Sequence, residues 1–124
     1  MPSPRVLIVD DVADNRALYA EAFAAAGFEV VEATDGEDAI HKVETTRPDI
    51  VIMDLAMPDV DGWEATRRIK GGPARPDVKV IVVTGHATRL GLERARDAGA
   101  DDVCTKPCLP RDLVDLVRRH LALP

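Results

Sequence analysis

Ile50-Val51-Ile52-Met53-Asp54-Leu55 is the stretch that decides the fold. Four apolar residues lead into one carboxylate, and the turn-rich segment Ala56-Met57-Pro58-Asp59-Val60-Asp61-Gly62 follows. A continuous run rich in Ile and Val reads as a strand buried on both faces, as in parallel sheets covered by helices. The run stops at Asp54, which places this carboxylate at the carboxyl end of a central strand. Ligand crevices of open parallel sheets lie outside those ends. An Asp there can also cap the turn before the next helix, so the position by itself leaves a chemical and a structural role open.

On the N-terminal side, Val6-Leu7-Ile8-Val9 repeats the pattern and also ends in acid, at Asp10-Asp11. The spacing predicts a helix over Asp14–Ala26, with Leu18, Ala22 and Ala25 on one face, Tyr19 and Phe23 beside them, and Gly27 as its stop. A short strand over Glu29–Ala33 comes next, then a helix near Glu37–Thr46 with Ala39, Ile40 and Val43 inward. Pro48 bars continuation and leads into the central strand. On the C-terminal side the pattern predicts a helix over Trp63–Lys70, a strand over Val78–Thr84 and a helix over Arg89–Ala98 capped by Thr88. Gly91 weakens that last helix by about 1 kcal/mol relative to alanine. A short strand over Asp102–Thr105 follows, and then a helix opened by Pro110 with Leu113, Val117 and Leu121 on one face. Five repeats of strand then helix make a single α/β domain with a parallel sheet and right-handed crossovers. The sequence stops at Pro124, just after the last helix, so a single domain over residues 1–124 with no output domain is expected.

The 124 residues are 46% hydrophobic and 31% charged, as in a globular chain. Twenty-two acidic against sixteen basic residues give a net charge of -6, which argues against nucleic-acid binding by this domain alone. No apolar run approaches the ~18 residues needed to cross a bilayer. The first residues lack the apolar core of a secretory signal, so the expectation is a cytoplasmic protein with no membrane contact. Two cysteines, Cys104 and Cys108, are too few for a disulfide framework and suggest no zinc site, so they read as small buried hydrophobes or free thiols. His41 and His120 read as ordinary helix residues.

Four strand ends carry polar groups: Asp10-Asp11, Asp54, Thr84, and Lys106 just past the fifth strand. Parallel strands bring those ends to one edge. Ionised carboxylates gathered there repel by about 4 kcal/mol per pair at ~4 Å and an effective dielectric near 20. Such a cluster calls for a cation, and all-oxygen ligands suit magnesium or manganese. Metal, hydroxyl and ammonium together could hold the three equatorial oxygens of a phosphoryl group, with Asp54 as nucleophile. Each part alone is ordinary turn chemistry, and it is their coincidence at the ends of strands one, three, four and five that points to a phosphoryl site.

Val9-Asp10-Asp11, Met53-Asp54-Leu55 with Met57-Pro58 and Asp61-Gly62, Val83-Thr84-Gly85, Ala98-Gly99-Ala100 and Lys106-Pro107 resemble the receiver domain of two-component response regulators over essentially the full length. The resemblance implies a doubly wound, flavodoxin-like (βα)5 fold with strand order 2-1-3-4-5. It implies that a sensor histidine kinase or phosphotransfer protein donates a phosphoryl group to Asp54 in a magnesium-dependent reaction. Asp11 and Asp54 would ligate the metal directly, Asp10 mainly through water, and the Ala56 carbonyl would be a third protein ligand. Thr84 and Lys106 would contact the phosphoryl group, with Ala56 and His86 flanking the path of the hydrolytic water. Such a module is not an enzyme beyond its own phosphorylation and hydrolysis, and it signals by binding a downstream protein. Two positions depart from the family pattern. Val103 stands three residues before the Lys in place of the usual aromatic, and Cys108 follows Lys-Pro in place of a larger apolar residue.

Three other readings remain. The chain could be a receiver cut from a hybrid histidine kinase or a longer regulator. A metal-dependent aspartyl-phosphate phosphatase of the haloacid-dehalogenase kind would want a second Asp two residues after the nucleophile, where Ala56 stands. A nucleotide- or flavin-binding domain would want a Gly-rich turn after the first strand, where Asp10-Asp11-Val12-Ala13-Asp14 stands.

Overall fold

The computed structural model describes residues 3–55, 62–72, 77–85 and 89–123. Five strands, β1 (Arg5–Val9), β2 (Glu29–Ala33), β3 (Ile50–Asp54), β4 (Lys79–Thr84) and β5 (Asp102–Thr105), alternate with five helices. These are α1 (Ala13–Ala25), α2 (Gly36–Thr46), α3 (Gly62–Gly71), α4 (Arg89–Asp97) and α5 (Pro110–His120). All pairings are parallel and the order is β2-β1-β3-β4-β5, the flavodoxin-like order expected.

The two-residue period of the strands divides the core into two layers. Leu7, Val9, Val51, Met53, Val80 and Val82 face one side and pack with Ala39 and Val43 of α2, Ala65 and Ile69 of α3, and Ala95 of α4. Val6, Ile8, Ile50, Ile52, Ile81 and Val83 face the other, under Phe23 of α1 and Leu113, Val114 and Val117 of α5. Because β1, β3 and β4 are covered on both faces, alternation in position does not appear as alternation in polarity, and their sequences read as unbroken apolar runs.

The helix ends follow from local chemistry. Gly27, at φ +94°, closes α1 in a Schellman arrangement in which Phe28 N–H donates to the Phe23 carbonyl at 3.0 Å. The Asp35 carboxylate accepts from Asp38 N–H at 2.8 Å and caps α2. The Lys70 ammonium, on the last turn of α3, reaches the Val78 carbonyl and the Asp101 carboxylate, both at 2.9 Å. The same carboxylate accepts from Val80 N–H at 2.8 Å, so Asp101 joins α3 to the start of β4. At the edge where the strands begin, Ser3 and Pro4 line one hollow with Leu121 and Leu123.

Three expectations need correction. The buried residue of α1 is Phe23, and Leu18, expected inward, is 60% exposed. In a helix this rich in alanine the large ring captures the core contact, and the rotation that seats it turns Leu18 outward. Cys104 and Cys108 are bonded to each other, and neither is a free thiol. His120 is more than a helix residue, since its Nε2 lies 2.8 Å from the Asp102 carboxylate and ties the end of α5 to the start of β5. The Thr88 cap expected for α4 lies outside the described residues.

Candidate functional site

Asp10 continues the alternation of Val6 and Ile8, and Asp54 continues that of Ile50 and Ile52. Both carboxylates therefore emerge on the α1–α5 side of the sheet's carboxyl edge. They are 4% and 5% exposed, while Asp11, one residue further along, is exposed. One carboxylate oxygen from each of the three lies within 4.8 Å of the others. Lys106 follows Cys104 by two residues and comes to the same side, with its Nζ 3.3 Å from Asp54 Oδ1. Thr84 is buried at the end of β4, paired in register with Thr105.

Backbone bonds carry the sheet past its formal ends and hold this edge. Asp10 N–H donates to the Ala33 carbonyl at 3.2 Å, Leu55 N–H to Val83 at 3.1 Å, and Lys106 N–H to Thr84 at 2.7 Å. Asp10 Oδ1 accepts from Val12 N–H at 2.9 Å, a local turn that sets its rotamer. Gly62 explains itself by close approach: a Cβ there would lie 2.9 Å from the Asp54 carbonyl oxygen and 3.0 Å from Leu55 Cα. Only glycine lets α3 begin this near the end of β3.

The electrostatics are those of crowded acids. Burial pushes the Asp10 carboxyl above the ordinary range, and the Asp54 charge adds to this, against the opposing pull of the Val12 N–H and the Lys106 ammonium. The Tyr19 phenol is also raised, by burial and by the Asp10 and Asp54 charges. It stays a proton donor, bonded to the Cys108 carbonyl at 2.8 Å. Three carboxylates offering converging oxygens, one of them paired with the Lys106 ammonium, make an all-oxygen donor set that fits a small hard dication.

The structure thus brings Asp10, Asp11, Asp54 and Lys106 together and leaves Thr84 at the end of the neighbouring strand. Ala56, His86, Met57-Pro58 and Asp61 lie outside the described residues. Three contributors were missed. Arg16 donates to the Asp10 carbonyl at 2.8 Å and pairs with Glu32 at 3.2 Å, bracing the turn after β1. Tyr19 holds the loop after β5, and the Cys104–Cys108 bridge spans it. Nothing in spacing or composition marks Tyr19 for this, because its partner lies 89 residues away.

The response regulator receiver domain model matches residues 6–118. The chain is 37% identical to the chemotaxis protein CheY of Thermotoga maritima over 116 residues, covering 93% of this chain and 95% of that protein. A CheY-like receiver domain protein from Methanospirillum hungatei has a solved structure that superposes with a TM-score of 0.91 at 30% identity, covering 98% of this chain and 95% of that one. The receiver domain of sensor histidine kinase PA1611 from Pseudomonas aeruginosa superposes with a TM-score of 0.86 at 28% identity, covering 95% and 97%. That protein has a magnesium ion coordinated in its active-site cleft. The chain spans about half the length of the transcriptional regulators that it also matches. Sheet order, acidic edge and these likenesses agree: the chain belongs to the response regulator receiver family, whose members are signalling domains of two-component systems, able to hold a metal at an aspartate cluster and working with histidine kinases and downstream effectors.

Proposed function

We propose that this chain accepts a phosphoryl group on Asp54 from the phosphohistidine of a sensor histidine kinase or phosphotransfer protein. The observation that carries the reading is a buried Asp54 carboxylate 3.3 Å from a lysine ammonium and clustered with two further carboxylates. A buried acid has no reason to gather others unless a cation joins them. Asp10, Asp11, Asp54 and the Ala56 carbonyl would hold magnesium, with manganese as substitute. The metal would supply positive charge to phosphoryl oxygens and draw the acids together. Asp54 attacks phosphorus through a carboxylate oxygen, the bond from phosphorus to the donor nitrogen breaks, and the imidazole leaves with its electron pair. Lys106 then faces the transferred group, and the Thr84 hydroxyl offers a donor from the next strand. The domain catalyses only its own phosphorylation and slow hydrolysis. It signals through a protein partner in the cytoplasm, without contacting nucleic acid or membrane.

A second reading differs in context, not chemistry. The half-length match to transcriptional regulators favours a receiver that serves as one part of a longer regulator, and the likeness to the receiver domain of a sensor histidine kinase favours one within a hybrid kinase.

Acetyl phosphate with magnesium should add one phosphoryl group, read by intact mass. Asp54→Asn should abolish the gain, because an amide does not attack phosphorus as a carboxylate does. Tandem mass spectrometry that placed the group on Asp59 or Asp61 would overturn the assignment.

A further inference from the structure

The Cys104–Cys108 bond closes a loop of five residues with Lys106 at its centre. One half-cystine is on β5 and the other lies two residues before α5. Lys106 is thus covalently fenced two residues away on either side, and its ammonium is the one 3.3 Å from Asp54. Cys108 lines the same hollow as Asp54 and Lys106. Its carbonyl is held by Tyr19. Cytoplasmic disulfides are ordinarily transient, catalytic or redox-sensing, and a purely structural crosslink would be out of place in the setting proposed above.

We propose that Cys104–Cys108 is a reversible thiol–disulfide exchange site whose state controls phosphoryl acceptance by positioning Lys106. This rests on the assignment of Asp54 as acceptor. The co-reactant is a dithiol reductant, opposed by a low-molecular-weight disulfide. Cys108 is buried and Cys104 half-buried, so an incoming thiolate attacks the Cys104 sulfur. The internal S–S bond breaks, a mixed disulfide forms at Cys104, and Cys108 leaves as a thiolate that takes a proton from water. The second thiolate of the reductant attacks the mixed disulfide at its own sulfur and releases Cys104, which is also protonated. Two electrons pass to the protein, and the reductant departs as a disulfide. With the bridge open, the loop gains conformations in which the Lys106 ammonium is not over Asp54. A positioned charge that wanders loses much of its catalytic value.

The test compares acetyl phosphate labelling of the oxidised protein with that of protein reduced by dithiothreitol, both with magnesium. Labelling should slow about threefold or more on reduction, and oxidised glutathione should restore it. Cys104→Ser should label at the slow rate with or without reductant, and Cys108→Ala should do the same. Lys106→Ala should label slowly and equally in both redox states, which a general loosening of the fold would not produce. Equal rates in the two states of the wild type would overturn the inference while leaving Asp54 as acceptor. A reductant effect that survived in Cys104→Ser would also overturn it, as would two free thiols persisting in excess oxidised glutathione. Labelling in neither state would overturn the acceptor assignment and this inference with it.

Discussion

Asp10 shows how a single residue records the state of the whole site. Its carboxyl is raised chiefly by burial, with Asp54 adding to the effect. An acid whose pKa is higher in the folded than in the unfolded chain favours folding while it is protonated. That contribution is full below the ordinary carboxylate value and is lost as pH climbs through the raised value. Without metal, the wild type should therefore lose stability across this window relative to Asp10→Asn, which cannot ionise. Urea midpoints in chelator between about pH 3 and pH 7 check this, and parallel profiles for the two proteins would refute it. Asp10 and Asp54 were legible in the sequence because each ends an apolar run. Tyr19, Arg16 and the cysteine pairing were not. Their partners are reached through the path of loops, and a spacing of four between two cysteines does not specify that path.

Helices and strands differ in how much of themselves they disclose. The strands were readable because burial on both faces selects β-branched and aliphatic residues, and the runs Val6–Val9, Ile50–Met53 and Val80–Val83 inside β1, β3 and β4 show it without a break. Helix α1 was readable as a helix but not in its rotation. Leu18 and Phe23 sit on different sides of an alanine-rich cylinder, and composition does not say which one the sheet takes. Helix α3 carries an irregularity that the pattern could not show. Thr66 is fully buried, and among the described residues its hydroxyl meets no hydrogen-bond partner. An unsatisfied buried hydroxyl costs on the order of 1–3 kcal/mol. Thr66→Val keeps the shape, removes the orphaned group and should stabilise the protein by about 1 kcal/mol. A lower urea midpoint for the valine variant would mean that the hydroxyl has a partner.

At the scale of the whole molecule, the fold was the most legible property, because alternating strands and helices admit few topologies. The edge chemistry should feed back on global stability. A dication that binds the folded chain and not the unfolded one stabilises by mass action, about 2.7 kcal/mol at a hundred times its dissociation constant. Magnesium should therefore raise the urea midpoint of the wild type, and Asp11→Asn should lose most of that gain, while equal midpoints with and without magnesium in the wild type would count against the site. Parallel strands give the sheet two dissimilar edges, and every carboxylate of the cluster is on one of them. Ser3, Pro4, Leu121 and Leu123 share a hollow at the other. The described segments 3–4 and 121–123 can therefore be joined by a short Gly/Ser bridge without disturbing the acidic edge. A circular permutant joined there and reopened after the exposed Gly71 should fold and label on Asp54 as the parent does, as circular dichroism and intact mass would show. The order in which the strands leave the ribosome is then dispensable, and the meeting of strand ends at one edge is what the chemistry requires.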